Sequence, residues 1–196
     1  MINILHHYFG TKILQKIEPE ISHAIALCYL RLLNQLVRKK KNGLPVLKTN
    51  ICGMDLPSPI GLAAGFDKNA EVFNATLSLG FGFVEVGTIT PDPQTGNPKP
   101  RLFKLPEEEA LINKMGFNNK GMLYVSKTAK KQKLGIVGIN LGANAKSVNK
   151  ILDYTTIFEF LASLFDYVTI NVSSPNTKNL RDLQKPEMLE KILQNV

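Results

Sequence analysis

From Pro59 onwards the sequence alternates a buried-strand pattern with a helical pattern four times, and this alternation limits the fold more than any other feature. The strand-like stretches are Pro59 to Gly65, which ends in small residues, and Phe83 to Ile89, Leu134 to Leu141 and Tyr167 to Val172, which are rich in β-branched or aromatic residues, each with Gly, Asn, Ser or Pro at or just after its end. Between them run helical stretches from about Ala70 to Leu79, closed by Gly80, then from about residue 120 to Lys133, and from Asp153 to Phe165. Pro186 opens a further helix at a first-turn position. Strands that alternate with helices pair in parallel, because each helix carries the chain back across the sheet. The expected fold class is therefore α/β.

Each strand ends on a polar group: Lys68, then Thr88, then Asn140, then Asn171 with Ser174. In parallel α/β folds ligands collect at the C-terminal strand ends, where the sheet fixes the backbone and the loops free the side chains. Polar residues in register at four such ends point to one shared site. For Ser173 to Thr177 taken alone, an Asx or Ser turn capping a helix is the more ordinary reading, and the recurrence of the pattern at the other strand ends weighs against it. Two shorter features complete the pass. Lys48 to Pro59 reads as a hairpin around Gly53, and Pro91 to Glu109, rich in Pro, Gly and Asn, reads as a long functional loop.

The N-terminal part is different in character. Ile4, Leu5, Tyr8, Phe9, Ile13, Leu14 and Ile17 recur at helical spacing, Pro19 ends that helix, and residues 20–37 make a second one closed by Arg38 to Lys41. Of the net charge of +8, residues 1–50 contribute eight Lys/Arg against two Glu, and the remainder sixteen against fourteen acids. The basic character thus belongs to the extension. That argues against a nucleic-acid binder, whose basic face is carried by the folded domain. The apolar run Ala24 to Leu30 is far short of the ~20 residues of a membrane span. Two apolar helices with a basic exit suit a hairpin in the membrane interface, or equally a cap on the domain's own core. The expected division is 1–42 for the helical extension and 43–196 for the α/β part. Cys28 and Cys52 have neither metal spacing nor disulfide density, so no metal site is expected and plain packing in a reducing compartment is the default.

The segments GLAAGFDKN (61–69), FGFVEVGTITPDPQTGNPKPRLFKL (81–105), LINKMGFNN (111–119), GINLGAN (138–144) and INVSSPNTKNLRDLQ (170–184), in that order, resemble the quinone-dependent, membrane-associated dihydroorotate dehydrogenases. PEISHA (19–24) extends the similarity into the helical extension. The resemblance implies a (β/α)8 barrel of the TIM type, of which about the first four βα units are expected here. It implies FMN as cofactor and oxidation of (S)-dihydroorotate to orotate in pyrimidine biosynthesis, with a membrane quinone as acceptor. It also implies peripheral attachment to the cytoplasmic side of a cell membrane, as at a bacterial inner membrane. It favours the membrane-facing reading of the extension.

Carried over residue by residue, Ser174 matches the family's catalytic base. Lys68, Asn113, Lys114, Met115, Gly116, Phe117, Asn171 and Asn176 match the substrate pocket. Ala64, Gly65, Phe66, Asp67, Lys68, Thr88, Asn140 and Asn171 match the flavin site, and His23 and Lys104 the quinone site. Lysine stands at 104 and 114 where the family usually has arginine, Ala143 at a usual lysine, and Asn179 at a usual glycine, which suits a left-handed backbone. A half barrel leaves parallel edges open, so the expected partners include a second half-barrel chain or another copy of this one.

Overall fold

The computed structural model describes residues 14, 16–36 and 44–196. The expected helix over 2–17, apart from its last turn, and the basic cluster Arg38 to Lys41 lie outside the described residues.

Helix α1 spans Pro19–Leu36. Proline at its first position needs no backbone donor, and the Glu18 carboxylate accepts the free N–H of Ile21 at 2.8 Å, so the helix starts capped. Its inner face places Leu27, Leu30 and Leu33 against Phe66, Val72 and Ala75. The opposite face leaves Ile21, Ile25, Tyr29 and Leu32 exposed. Among the described residues no helix is long and apolar enough to cross a membrane. Strands β1 (Thr49–Ile51) and β2 (Met54–Leu56) form the expected hairpin around Gly53.

Helix α2 follows at Phe73–Ser78 and strand β3 at Phe83–Ile89. Gly80, with φ +114°, ends α2 as its sequence position predicts. Strands β4 (Leu102–Leu105) and β5 (Ala110–Asn113) come next, then helix α3 (Met122–Thr128), strand β6 (Ile136–Leu141), helix α4 (Lys150–Leu161), strand β7 (Tyr167–Ile170) and helix α5 (Pro186–Gln194). The sheet that matters is β3-β6-β7, all parallel.

Alternation along these strands divides the sheet into two chemically distinct faces. On one, Val84 and Val86 of β3, Val137, Ile139 and Leu141 of β6, and Val168 and Ile170 of β7 pack with Phe73, Leu77, Val125, Tyr154, Ile157 and Leu161 from the helices. Each such buried side chain contributes about 1.5–3 kcal/mol, so this single cluster is the core. The register sets the other face: Glu85 lies beside Gly138, Gly87 beside Asn140, and Asn140 beside Thr169. A polar ladder therefore runs along the face that a barrel would turn inward.

Three expectations need correction. Pro59 to Gly65, expected as the first strand, makes only one parallel bridge, Leu62 to Val84. It does lie alongside β3, with Leu62 N–H donating to Phe83 O at 3.0 Å and Glu85 N–H to Leu62 O at 2.8 Å. Backbone bonds continue on either side, Gly82 N–H to Ile60 O at 2.8 Å and Gly65 N–H to Gly87 O at 2.7 Å, and the Phe83 ring fills the space a Cβ on Gly61 would need. The segment 91–109 is not a structureless loop, since its last part forms β4 and pairs antiparallel with β5 from Leu102/Asn113 to Leu105/Ala110. Four-residue strands around an acidic turn carry too short an apolar alternation to stand out from the Pro and Gly before them. Cys28 and Cys52 are exposed and free, rather than packed.

Helices α2 and α3 are shorter than their sequence patterns, whereas α4 begins at Lys150, three residues before the expected Asp153. Before α2, the Asp67 carboxylate accepts the N–H groups of Glu71 at 2.9 Å and Val72 at 2.8 Å, so this turn is organised by a side chain and the helix begins only at Phe73. Next to it Asn69 receives Lys120 N–H on its side chain and Thr128 Oγ1–H on its carbonyl, both at 2.8 Å, which ties the turn to α3. α4 is capped by Asn149, whose Oδ1 accepts Leu152 N–H at 3.2 Å.

Candidate active site

A cavity of about 620 Å³ opens at the C-terminal ends of β3, β6 and β7, beneath the first turns of α1 and the β4–β5 hairpin. Its volume lies in the range of small-molecule and cofactor sites. The polar face of the sheet supplies the floor. Thr88 Oγ1–H donates to Asn140 Oδ1 at 2.6 Å, and Asn171 Nδ2 donates to both Asn140 Oδ1 at 3.0 Å and Thr88 Oγ1 at 3.2 Å. Asn140 Nδ2 in turn donates to Glu85 Oε1 at 2.8 Å, and Thr169 Oγ1–H to Glu85 Oε2 at 2.9 Å. Tyr154 Oη–H of α4 donates to the Asn171 carbonyl, just past the end of β7, at 2.7 Å. Every member is fixed by another, and such networks set side-chain direction closely.

The rim comes from loops. Asn176 Nδ2 donates to Asn113 Oδ1 at 3.3 Å and to its carbonyl at 3.4 Å, joining the loop after β7 to the end of β5. Asn97 Nδ2 bridges them again, donating to Lys114 O at 2.9 Å and Asn176 O at 3.2 Å. The Ser173 to Thr177 segment is a local turn as well as a site wall. Asn171 Oδ1 accepts Ser173 N–H at 3.2 Å, and Ser174 Oγ accepts Asn176 N–H at 3.3 Å. The two readings of that stretch are therefore compatible.

Lys68 lines the cavity and its ammonium donates to the Gly65 carbonyl. Burial pulls its pKa down from the ordinary lysine value, and the positive charge of Arg101 adds to this while Glu20 opposes it. His23 reaches in from α1. Its Nε2–H donates to Phe66 O at 2.7 Å and its ring meets the Phe66 ring edge-on at 5.3 Å. Burial, then the Lys68 charge, lowers the His23 pKa, which favours the neutral ring.

Most of the residues singled out by sequence meet here: His23, Ala64, Gly65, Phe66, Lys68, Thr88, Asn113, Met115, Gly116, Phe117, Asn140, Asn171, Ser174 and Asn176 all line the cavity. Three do not. Asp67 is buried beneath the turn it caps, with its carboxyl pushed up by burial against the pull of its backbone donors. Lys114 extends over the Phe103 ring at 5.7 Å, and Lys104 donates to Ile17 O at 2.6 Å. Glu20, Glu85, Leu102, Leu111 and Asn118 line the cavity without having been singled out. For Glu85 the signal was present, an acid between Val84 and Val86 on a strand and so on the opposite face. For Glu20 it was the three-residue spacing from His23, which puts both on one helix face.

The arrangement suits a flat, neutral, amide-rich ring system. Small residues at Ala63, Ala64 and Gly65 leave the backbone approachable, and threonine and asparagine amides offer donors and acceptors without charge. Asn118 Oδ1, buried and without a partner among the described residues, is an acceptor awaiting a donor. An α/β protein built from βα units, with a ligand cavity at the strand ends, is the class that fold and site define.

The family model described as dihydroorotate dehydrogenase matches residues 46–196, and the chain belongs to that family. It is 47% identical over 190 residues to a Rhodopseudomonas palustris protein named dihydroorotate dehydrogenase (quinone), covering 96% of this chain and 52% of the relative. It is 48% identical over 188 residues to a Coxiella burnetii protein of the same name, covering 91% and 53%. A crystal structure of the Eimeria tenella dihydroorotate dehydrogenase in complex with ferulenol superimposes with a TM-score of 0.82 at 40% identity, over 91% of this chain and 50% of that one. The chain spans about half the length of the curated relatives it matches. The fold is accordingly that of the TIM-barrel family, present as a partial parallel sheet with its helices rather than a closed barrel.

Proposed function

We propose that these residues form the N-terminal part of a flavin site that oxidises (S)-dihydroorotate to orotate in pyrimidine biosynthesis and passes the electrons to a membrane quinone. The observation that carries this reading is the convergence of Ser174, Lys68 and the asparagines Asn113, Asn171 and Asn176 on one cavity. FMN would be held at Ala64, Gly65, Thr88, Asn140 and Asn171 and would supply the hydride acceptor.

The chain's own residues do the rest. Lys68, whose pKa burial draws below the ordinary lysine value, binds an entering carboxylate as a point charge, and that carboxylate in turn favours the charged ammonium. Asn113 and Asn176, already hydrogen-bonded to each other, present a paired donor and acceptor edge to a cyclic diamide. Ser174 Oγ, at the rim, would take the ring proton as the hydride leaves the neighbouring carbon, passing its own hydroxyl proton on to solvent along a proton path. Because a hydroxyl is a weak base, this step needs the desolvation that α1 and the β4–β5 hairpin provide over the cavity. The exposed stripe Ile21, Ile25, Tyr29 and Leu32 supports peripheral attachment to the cytoplasmic side of a membrane, with His23 and Lys104 on the quinone's route.

A second reading is favoured by the sheet. Among the described residues β7 pairs with β6 alone, so one parallel edge is open. In this reading the cavity is completed by a second half-barrel chain or another copy, and the chain by itself does not turn over. The visible absorption spectrum of the purified chain with FMN, before and after dihydroorotate, tests both. A bound-flavin spectrum that bleaches supports the first reading if the chain sediments as a monomer and completion by another copy if it sediments as a dimer, and in either case Ser174→Ala loses the bleaching while flavin binding persists. A bound spectrum that does not bleach, or no bound flavin, favours the second, and addition of a complementary half then restores bleaching.

A further inference from the structure

Helix α1 is attached to the α/β part by few apolar contacts and by polar ties at two places. At its start Glu20 is paired with Arg101 and Lys99, and His23 with the Phe66 carbonyl. Towards its other end the ties converge on Glu71, a carboxylate whose side chain is only 7% exposed. Arg31 of α1 reaches it through a short ion pair. Lys120 Nζ, just before α3, donates to it at 2.8 Å and Tyr124 Oη–H, in the first turn of α3, at 2.6 Å. Asn34 reinforces the contact, its Oδ1 accepting Ala75 N–H at 3.0 Å and its Nδ2 donating to Glu71 O at 3.4 Å.

The two places differ in solvent access. Arg101 and Glu20 have side chains 9% and 15% exposed, whereas Arg31 is 48% exposed. A screened arm opens more readily than a desolvated two-point pair. Once Arg31 leaves, this half of α1 keeps only the small cluster of Leu27, Leu30 and Leu33 on Phe66, Val72 and Ala75 and the two Asn34 bonds to Ala75 N–H and Glu71 O. Glu71 would then still be held by Lys120 and Tyr124 and stay charged without it.

We propose that Glu71 is a latch for α1: the carboxylate shared between Arg31 and the Lys120–Tyr124 pair fixes the second half of the helix, and release of Arg31 lets that half swing about the Glu20–Arg101 pair. α1 is in this view a strap over the cavity, hinged where Glu20 and His23 line it and released at the far end. The latch requires neither flavin nor substrate.

Hydrogen exchange by mass spectrometry on the 196-residue chain tests it. In Arg31→Met, amides of residues 27–36 are expected to exchange at least tenfold faster, while 20–25 and strands β3, β6 and β7 keep their protection. Arg31→Lys, which keeps the charge, restores most of it. Glu71→Gln is expected to loosen both 27–36 and the start of α3 at 122–126. Unchanged protection of 27–36 in Arg31→Met, or a rise spread evenly over all of α1, overturns the proposal. So does equal loosening in Arg31→Lys. Should Glu71→Gln unfold the chain, the Arg31 pair of variants still decides.

Discussion

Glu20 and Arg101, 81 residues apart in sequence, meet in a two-point ion pair: Arg101 Nε–H to Oε1 at 2.8 Å and Nη2–H to Oε2 at 2.9 Å. The third nitrogen of the same guanidinium, Nη1, donates to Thr95 O at 2.5 Å and Asn97 O at 3.0 Å. One side chain thus fastens the start of α1 to the loop that carries Asn97 to the cavity rim.

This pair makes stability depend on acid. The Arg101 guanidinium holds the Glu20 carboxyl down to about 2, and Glu71 is likewise held at about 2 by Lys120, Tyr124 and Arg31 against its burial. Both groups bind fewer protons folded than unfolded. Their contribution is complete above the unfolded carboxylate pKa, near 4.5, and is lost as pH falls towards 2. The thermal midpoint is expected to stay level from pH 7 to about 5 and then fall. Glu20→Gln should flatten that fall and cost about 2 kcal/mol at pH 7, between the values for exposed and buried pairs, as read from urea denaturation. An unchanged acid limb in this variant would count against the pair as its source.

At Lys68 the direction reverses. Burial lowers its pKa, so a ligand carboxylate must draw a proton onto the lysine when pH is high enough to have removed it. Orotate affinity of the flavin-loaded protein, measured by calorimetry, should weaken as pH rises into the alkaline range, with proton uptake on binding. Lys68→Met should lose about 10–100-fold in affinity, on the order of 1.4–2.8 kcal/mol, and lose the pH dependence with it.

The floor network predicts an order among substitutions at one position. Asn140→Ala removes the donor to Glu85 Oε1 and the acceptor shared by Thr88 and Asn171, leaving buried groups unpaired at about 2–3 kcal/mol. Asn140→Asp keeps the shape and the acceptor but sets a second carboxylate against Glu85, so it should be at least as destabilising at pH 7 and recover as pH falls to the carboxylate range. Urea midpoints at two pH values distinguish them.

Membrane attachment has its own test. Co-sedimentation with anionic vesicles should be lost on deleting residues 2–41, and reduced several-fold by Ile25→Asp, which charges the exposed stripe of α1 without touching its packed face. Equal binding by the deleted chain would assign attachment elsewhere.

How far the sequence carried depended on the length of each signal. β3, β6 and β7 are apolar runs of four to seven residues bounded by turn formers, and their positions emerged to within about two residues. Asn179, expected to tolerate a left-handed backbone, has φ +57°. The shared site at the strand ends was legible because parallel topology brings successive C-terminal ends together. What stayed hidden depended on contacts between distant segments. The β4–β5 hairpin needs pairing across a turn, the short α2 needs the Asp67 carboxylate to replace its first turn, and Arg101 becomes a fastener only once α1 lies beside it. Of the residues carried over from the resemblance, Asp67, Lys104 and Lys114 do not line the cavity: Asp67 holds the turn before α2, Lys104 donates to Ile17 O and Lys114 lies over the Phe103 ring.

The turn from Phe66 to Asn69 shows what such neighbourhood conceals. Phe66 gives its carbonyl to His23, Asp67 its carboxylate to the turn before α2, Lys68 its ammonium to the cavity, and Asn69 its amide and carbonyl to α3. Four adjacent residues thus serve four destinations, and each destination is reached only in the present phase of the backbone. Substitution at any one of them disturbs one connection, but insertion or deletion of a single residue would misdirect all four together. In this quartet the number of residues is a stricter requirement than the identity of any of them.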